Sequence, residues 1–238
     1  MSNLTHQKAF ILHKQNWDEK SEQVELFTPD FGRLLAYYPK KKRPLPLFQQ
    51  LDIDVNKTGE YGNIKSWVAD GSLHYLQEEY LYFGLYLNEL LVRLLPREDA
   101  NPIMFGLYAS TLTLISKDSL ATGALRFFER SLLKELGYAI NFSMDIDQVK
   151  IRSDQFYSHI ASSGFKKMIQ PGGDQFSGIP GSVIIAIDQN DWSSQITLKF
   201  ARVIFQSEID VLLDKKELHS RSLIRQYYQS KQKRILMT

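Results

Sequence analysis

The sequence predicts an α+β chain, with a small five-stranded β-barrel first and a helical domain after it. Two features predict this. Short apolar segments separated by turn-forming residues occupy about the first seventy positions, and from about Leu73 the hydrophobic period changes from two to about 3.6. The length, 238 residues, suits one or two domains. The change of period puts the boundary at 72, giving segments 1–72 and 73–238.

The strands come first. Lys8 to His13 is short, apolar and partly aromatic. From Gln23 to Phe27, Val24 and Leu26 alternate with Gln23 and Glu25, which predicts a strand with one buried face. Pro29 and Gly32 supply the fixed or positive φ that a turn needs. A third strand, Arg33 to Tyr38, runs into the basic stretch Lys40-Lys41-Lys42-Arg43. A fourth covers about Phe48 to Val55, Asn56 to Gly59 reads as a hairpin turn, and Asn63 to Asp70 completes the set. Five short strands with tight turns suggest a closed barrel of the OB type.

The helices follow. Tyr75, Tyr82, Tyr86, Leu90 and Leu94 recur at helical spacing until Pro96 stops them. Asn101-Pro102 opens a second helix, in which Phe105, Tyr108, Leu112 and Ile115 share a face. A third runs from about Ser119 to Leu136, with Gly137 as its C-cap. Residues 143 to 190 read as a loop-rich insert, polar over Asp145 to Ser163 and rich in Gly and Pro over Gln170 to Gly181. Within it, Val183 to Ile187 suits a buried strand and a helical piece equally. After Asp191 a strong helix returns, with Ile196, Phe200, Val203, Ile204 and Val211 along one side. A last helix, about Ser220 to Gln229, precedes a basic tail, Lys231 to Arg234, expected to be mobile.

Composition excludes several chemistries. The absence of cysteine removes disulfides, thiolate catalysis and cysteine-based zinc sites. The five histidines, His6, His13, His74, His159 and His219, are too scattered for a helical metal pair, so neither metal nor cofactor is expected. There is no phosphate-cradling glycine loop and no G-x-S-x-G elbow. Carboxylate pairs such as Glu78-Glu79 and Asp145/Asp147 read as solvated surface, and no catalytic residue is assigned. No apolar run approaches the roughly 20 residues a bilayer demands, and the N-terminus has no leader pattern, so the expectation is a cytoplasmic protein away from membranes.

Charge is more informative in its placement than in its sum, a formal +2. On its own the Lys40 to Arg43 run reads as a solvated loop. Beside a barrel groove, such cations neutralise phosphates while aromatic side chains, here Trp17, Tyr37 and Tyr38, stack on bases. Residues 199 to 238 hold nine Lys/Arg against four Asp/Glu, and Arg221 and Arg225 share a helix face. A solvated helix end accounts for that cluster equally well.

Several blocks in order and at matching distances resemble the RecO family along nearly the whole chain. They are Ala9-Phe10-Ile11-Leu12-His13, Glu25 to Asp30 with Gly32-Arg33, Gly84 to Leu91 and Leu94 to Asp99. Further blocks are Leu125-Arg126 with Phe128-Glu129, Leu132-Leu133, Leu136-Gly137-Tyr138, and Ser220-Arg221 with Leu223 and Arg225-Gln226-Tyr227. The resemblance implies an OB-fold joined to an otherwise all-helical domain, and a nonenzymatic mediator of DNA repair and homologous recombination in the RecF pathway. It implies binding of single- and double-stranded DNA, annealing of complementary strands, and work with RecR to load RecA onto DNA coated by single-strand-binding protein. It also implies a nucleoid-associated place in the cytoplasm.

Carried onto this sequence, the implied DNA-binding residues are Lys14, Arg33, Lys40, Lys41, Lys42, Arg43, Arg221 and Arg225. Arg126 and Arg130 would flank a pocket for the acidic C-terminal tail of single-strand-binding protein. Without the resemblance, Arg126 reads as a helix-surface ion pair with Glu129. Two departures stand out. Many relatives carry a four-cysteine zinc module where this chain has the cysteine-free stretch Asn141 to Gln189, so no zinc is expected. The family's glycine-containing basic loop appears here as Pro39 to Pro44, with its charge kept and its glycine gone. A competing reading is a protein-interaction scaffold that recruits single-strand-binding protein and RecR with little direct DNA binding.

Overall fold

The computed structural model describes residues 2–117, 121–169 and 178–235. Strands β1 (Ser2–Asn16), β2 (Ser21–Thr28), β3 (Gly32–Pro39), β4 (Leu51–Thr58) and β5 (Tyr61–Ala69) close into a barrel in the order β1-β2-β3-β5-β4. β1 pairs with both β2 and β4, and β3 meets β5 in parallel. This is the connectivity of the OB-fold. β1 closes the barrel because it is long enough, 15 residues, to serve two neighbours.

Alternation sets the inside of the barrel. Ala9, Ile11, Val24, Leu26, Leu34, Ala36, Ile53 and Val55 join one core, with Leu45 from the loop after β3. The turn between β4 and β5 falls at Gly59, whose φ of +63° suits glycine, one step later than the sequence suggests. Phe48 is outside β4, since its φ of +58° breaks the extended run.

The chain divides into two compact units, Met1–Ala121 with Leu218–Thr238, and Thr122–Glu217. In the first, the barrel is accompanied by helices α1 (Glu79–Leu94), α2 (Pro102–Ile115) and α6 (His219–Ile235). α2 begins as its sequence foretells: the Asn101 side chain accepts from the Met104 amide at 2.8 Å, and Pro102 occupies the first turn. Its buried face includes Phe105, Tyr108, Leu112 and Ile115.

That face meets the outside of the barrel. Phe10 lies 5.2 Å from Phe105 and 4.9 Å from Tyr108 between ring centroids, and Phe27 lies 5.5 Å from Phe105. β2 is therefore buried on both faces, and Glu25, expected in solvent, is only 7% exposed. Asn88 of α1 is buried yet satisfied: its amide donates to the Leu12 carbonyl at 2.8 Å and accepts from the Tyr108 hydroxyl at 2.5 Å. Burial raises the Tyr108 pKa, so this hydroxyl remains a donor. α1 begins at Glu79, six residues later than the change of period suggests, and Tyr75 lies off it, 78% exposed.

α6 is longer than expected and includes Lys231 to Ile235, so the basic segment read as a mobile tail is helical. Glu89 of α1 caps it. Its carboxylate accepts from the His219 and Ser220 amides, each at 2.8 Å, and from the Ser220 hydroxyl at 2.5 Å.

The second unit contains α3 (Ala121–Glu135), α4 (Gly181–Asp188) and α5 (Gln195–Leu212). The suggested start of α3 at Ser119 lies outside the described residues. Gly137, φ +86°, ends it, with the Tyr138 amide bonded to the Leu133 carbonyl at 2.8 Å. The polar stretch read as loop holds β6 (Phe156–Ile160), and β7 (Gly164–Lys167) and β8 (Ile179–Pro180) complete a three-stranded sheet in the order β7-β6-β8. Tyr157 and Phe165 are fully buried there, and two apolar side chains are too few to register as a strand pattern. Residues 170–177 of the Gly/Pro-rich stretch lie outside the described residues.

Asp145, read as solvated surface, is 5% exposed and accepts from the Asp147 and Val149 amides at 3.0 and 2.8 Å. In α5 the expected face is corrected. Ile204 is buried, but Ile196, Val203 and Val211 are 58%, 59% and 46% exposed, while Leu198, Ala201, Phe205 and Ile209 turn inward.

Candidate functional site

Two surfaces gather the residues expected to bind ligands, one in each unit. The first is a groove of about 360 Å³ on the barrel, lined by Trp17 and Asp18, by Ser21, Tyr37, Tyr38 and Pro39, and by Lys42, Asn63, Ile64 and Lys65. Its rings follow from strand alternation. Tyr37 points outward and packs 5.3 Å from Trp17 and 5.6 Å from Tyr61. The next residue, Tyr38, points into the barrel and is 3% exposed. The expectation that Tyr38 stacks on bases beside Tyr37 is corrected, because neighbours on a strand face opposite ways. Tyr61 is invisible to a local pattern because its pairing with Tyr37 depends on the parallel register of β3 and β5, Leu35 opposite Tyr61.

Lys40, Lys41, Lys42 and Arg43 are all exposed on the loop leaving β3. Buried aromatic groups shape that loop. The Tyr38 hydroxyl donates to the Arg43 carbonyl at 2.8 Å and accepts from the Trp67 indole N–H at 3.0 Å. The Arg43 guanidinium lies over the Trp67 ring at 4.4 Å, and the Lys42 ammonium 5.9 Å from the Tyr38 ring. Lys42 also donates to the Lys65 carbonyl at 2.7 Å and Lys40 to the Asp18 carbonyl at 2.6 Å, which gathers cations at the groove. Lys14, half-buried, donates to the Leu45 carbonyl at 2.8 Å.

Asp18 is the groove's anion. A hydrogen bond from the Ser21 hydroxyl, with further bonds from the Lys20 and Ser21 amides, holds its pKa below the ordinary carboxylate value. Arg33 takes no place in the groove. It is 6% exposed, donating to Glu25 at 3.1 Å and to the Leu95 carbonyl at 2.5 Å. Burial lowers its pKa despite the opposing pull of Glu25. On α6, Arg221 is half-buried with its guanidinium 5.8 Å from the Tyr86 ring, and Arg225 is exposed.

The second surface is a pocket of about 270 Å³ within the other unit. Phe127, Leu133, Ile140, Phe142 and Phe205 give it apolar walls, and Arg130, Lys134 and Asn190 give it polar ones. Arg130 is held in place by bonds to the Ile187 carbonyl at 2.7 Å, the Asp188 carbonyl at 2.8 Å and the Asp188 carboxylate at 3.0 Å, and it covers the Phe142 ring at 5.1 Å. Lys134 is exposed. Arg126 does not line the pocket. It is 4% exposed and 3.1 Å from the wholly buried Glu129, so the ion pair foreseen on the helix surface is an interior one. Lys134 and Phe142 carry no signal in the sequence, because one looks like solvated helix and the other like loop.

Among the described residues, no group of three or more His, Asp or Glu is arranged to hold a metal ion. Among them, too, no helix is long and apolar enough to cross a membrane.

Residues 78–173 match the family model described as Recombination protein O C terminal. The whole chain is similar to curated proteins named DNA repair protein RecO. The one from Dechloromonas aromatica is 33% identical over 235 residues, covering 94% of this chain and 97% of that protein. The one from Stutzerimonas stutzeri is 32% identical over 225 residues, 92% of each chain. The one from Coxiella burnetii is 31% identical over 224 residues, covering 91% of this chain and 96% of the relative.

Proposed function

Since this chain belongs to the RecO family of DNA repair proteins, we propose that it acts in DNA repair and recombination as a nonenzymatic mediator, with the barrel groove as its DNA-binding surface. The observation that carries this reading is the exposed Lys40 to Arg43 loop, pinned beside the groove by Tyr38 and Trp67. Pinned cations lose less freedom on meeting phosphates than loose ones do, and each phosphate they neutralise releases a condensed counterion. Annealing of complementary strands needs no nucleophile. Cations that offset the repulsion between two phosphate backbones let both strands lie close enough to pair. Lys14 and Arg225 extend the proposed surface, while Arg33 and Arg221 support it from within the fold.

The pocket between Phe127, Phe142 and Phe205, rimmed by Arg130 and Lys134, favours a second role beside the first. Its apolar walls suit a terminal aromatic side chain and its cations suit acidic residues around it, which is the chemistry of the C-terminal tail of single-strand-binding protein. Arg126 acts here by fixing α3 through Glu129. Work with RecR in loading RecA belongs to the same proposal.

One experiment separates mediator from scaffold. Alanine at Lys40, Lys41, Lys42 and Arg43 together abolishes oligonucleotide binding and leaves tail-peptide binding intact if the groove binds DNA. Unchanged DNA binding in that variant leaves the scaffold reading.

A further inference from the structure

We propose that the barrel groove recognises unpaired nucleobases, through a row of three rings, Trp17, Tyr37 and Tyr61, and so holds single strands by a contact that a duplex cannot make. The inference rests on the proposed DNA-binding role and adds to it a second, uncharged component.

The rings come from three places in the barrel, namely the end of β1, the middle of β3 and the start of β5. They pack in series at 5.3 and 5.6 Å between centroids, with tilts of 57° and 31°. The outer two are largely open to water, Trp17 at 58% and Tyr61 at 43% exposure. Apolar groups of that size stand singly on most surfaces, whereas three in contact along a groove form a continuous π surface. Lys42 and Lys65 line the same groove, so a backbone held by the cations passes beside the rings. Asp18, the one carboxylate in the lining, sits at the Trp17 end and disfavours phosphate there.

A base in a duplex has both faces covered by its stacked neighbours. A base in a single strand has faces free and gains on the order of tenfold in affinity for each aromatic ring it covers. Stacking uses the face and leaves the pairing edge open, so a strand held on the row remains competent to pair. Once it pairs, its bases leave the rings and the duplex keeps only the phosphate contacts. The row therefore favours release of the paired product.

The test compares three probes on the intact protein: an oligothymidylate of about 12 nucleotides, within the span of one OB-fold, an abasic chain of equal length, and a duplex. Binding is read by anisotropy across a salt titration, with the variant Trp17→Ala/Tyr61→Ala beside the parent. Both positions are exposed, so the variant is expected to fold, and circular dichroism checks this. The expected result is that oligothymidylate binds at least about tenfold more tightly than the abasic chain. That excess should survive added salt and vanish in the variant, while the duplex is unaffected. Equal binding of oligothymidylate and abasic chain, or equal losses on all three probes in the variant, overturns the base-stacking proposal and leaves electrostatic DNA binding standing. No binding of any probe overturns the DNA-binding reading itself.

Discussion

The Glu25 carboxylate and the Arg33 guanidinium meet at 3.1 Å with side chains only 9% and 7% exposed, and Arg97 reaches the other oxygen of the same carboxylate. Arg33 also donates to the Leu95 carbonyl, so one buried guanidinium ties β2 and β3 to the segment after α1. A cation positioned this way stabilises the fold instead of meeting a ligand.

Arg33→Met is therefore expected to destabilise the protein by about 3 kcal/mol, because a buried carboxylate loses one of its two partners. Urea unfolding measures it. The folded fraction of the variant should bind oligonucleotides as the parent does, and a selective loss of DNA affinity at unchanged stability would put Arg33 back in the DNA interface.

Replacing Lys40 to Arg43 with alanine should leave stability within about 0.5 kcal/mol, since the side chains are exposed. It should flatten the dependence of log K on log salt by about 0.7 for each single-strand phosphate that the variant no longer neutralises. Oligonucleotide titrations at several salt concentrations read both the affinity and the slope. An unchanged slope removes these cations from the interface.

Acid should loosen the β1–β2 turn. Asp18 has a folded pKa below its ordinary value of 3.8, set first by the Ser21 hydroxyl bond. A depressed carboxylate contributes stability that is fully present above the unfolded pKa and is lost as pH falls through the folded one. Trp17, whose amide bonds to the Ser21 carbonyl, reports on this turn. Its emission should shift below about pH 3.8 in the parent, and should lack that transition in Asp18→Asn.

Glu89→Ala should free the N-terminus of α6, leaving the His219 and Ser220 amides without their acceptor. Loss of a cap costs about 1 kcal/mol. Limited proteolysis should then cut within α6 sooner than in the parent, while Glu89→Gln, which keeps one carbonyl oxygen, should fall between them.

In the second unit, Lys134→Ala should weaken an acidic, Phe-ending peptide severalfold without changing the melting temperature, as expected for a rim charge. Arg126→Ala should lower stability by about 3 kcal/mol, because it removes the cation that faces the wholly buried Glu129. Calorimetry with the peptide separates the two effects.

Local sequence alone dictates that five extended segments come first and helices after them, that α2 begins at Asn101-Pro102, and that thiol chemistry is absent. These are properties of neighbouring residues: alternation, capping and composition act over a few positions. The same local pattern puts the Lys40 to Arg43 cations on a loop leaving a strand. It does not reveal that β6 lies in the polar stretch, where too few apolar side chains alternate. Nor does it settle which side of α5 is buried, because apolar residues occupy both. Tertiary packing turns Tyr37 to the groove and Tyr38 to the core, brings Tyr61 alongside Tyr37, and seals Arg33 against a carbonyl 62 positions away. Whether a side chain meets water or protein depends on what the rest of the chain packs against it, and that packing joins residues too far apart for local pattern to connect.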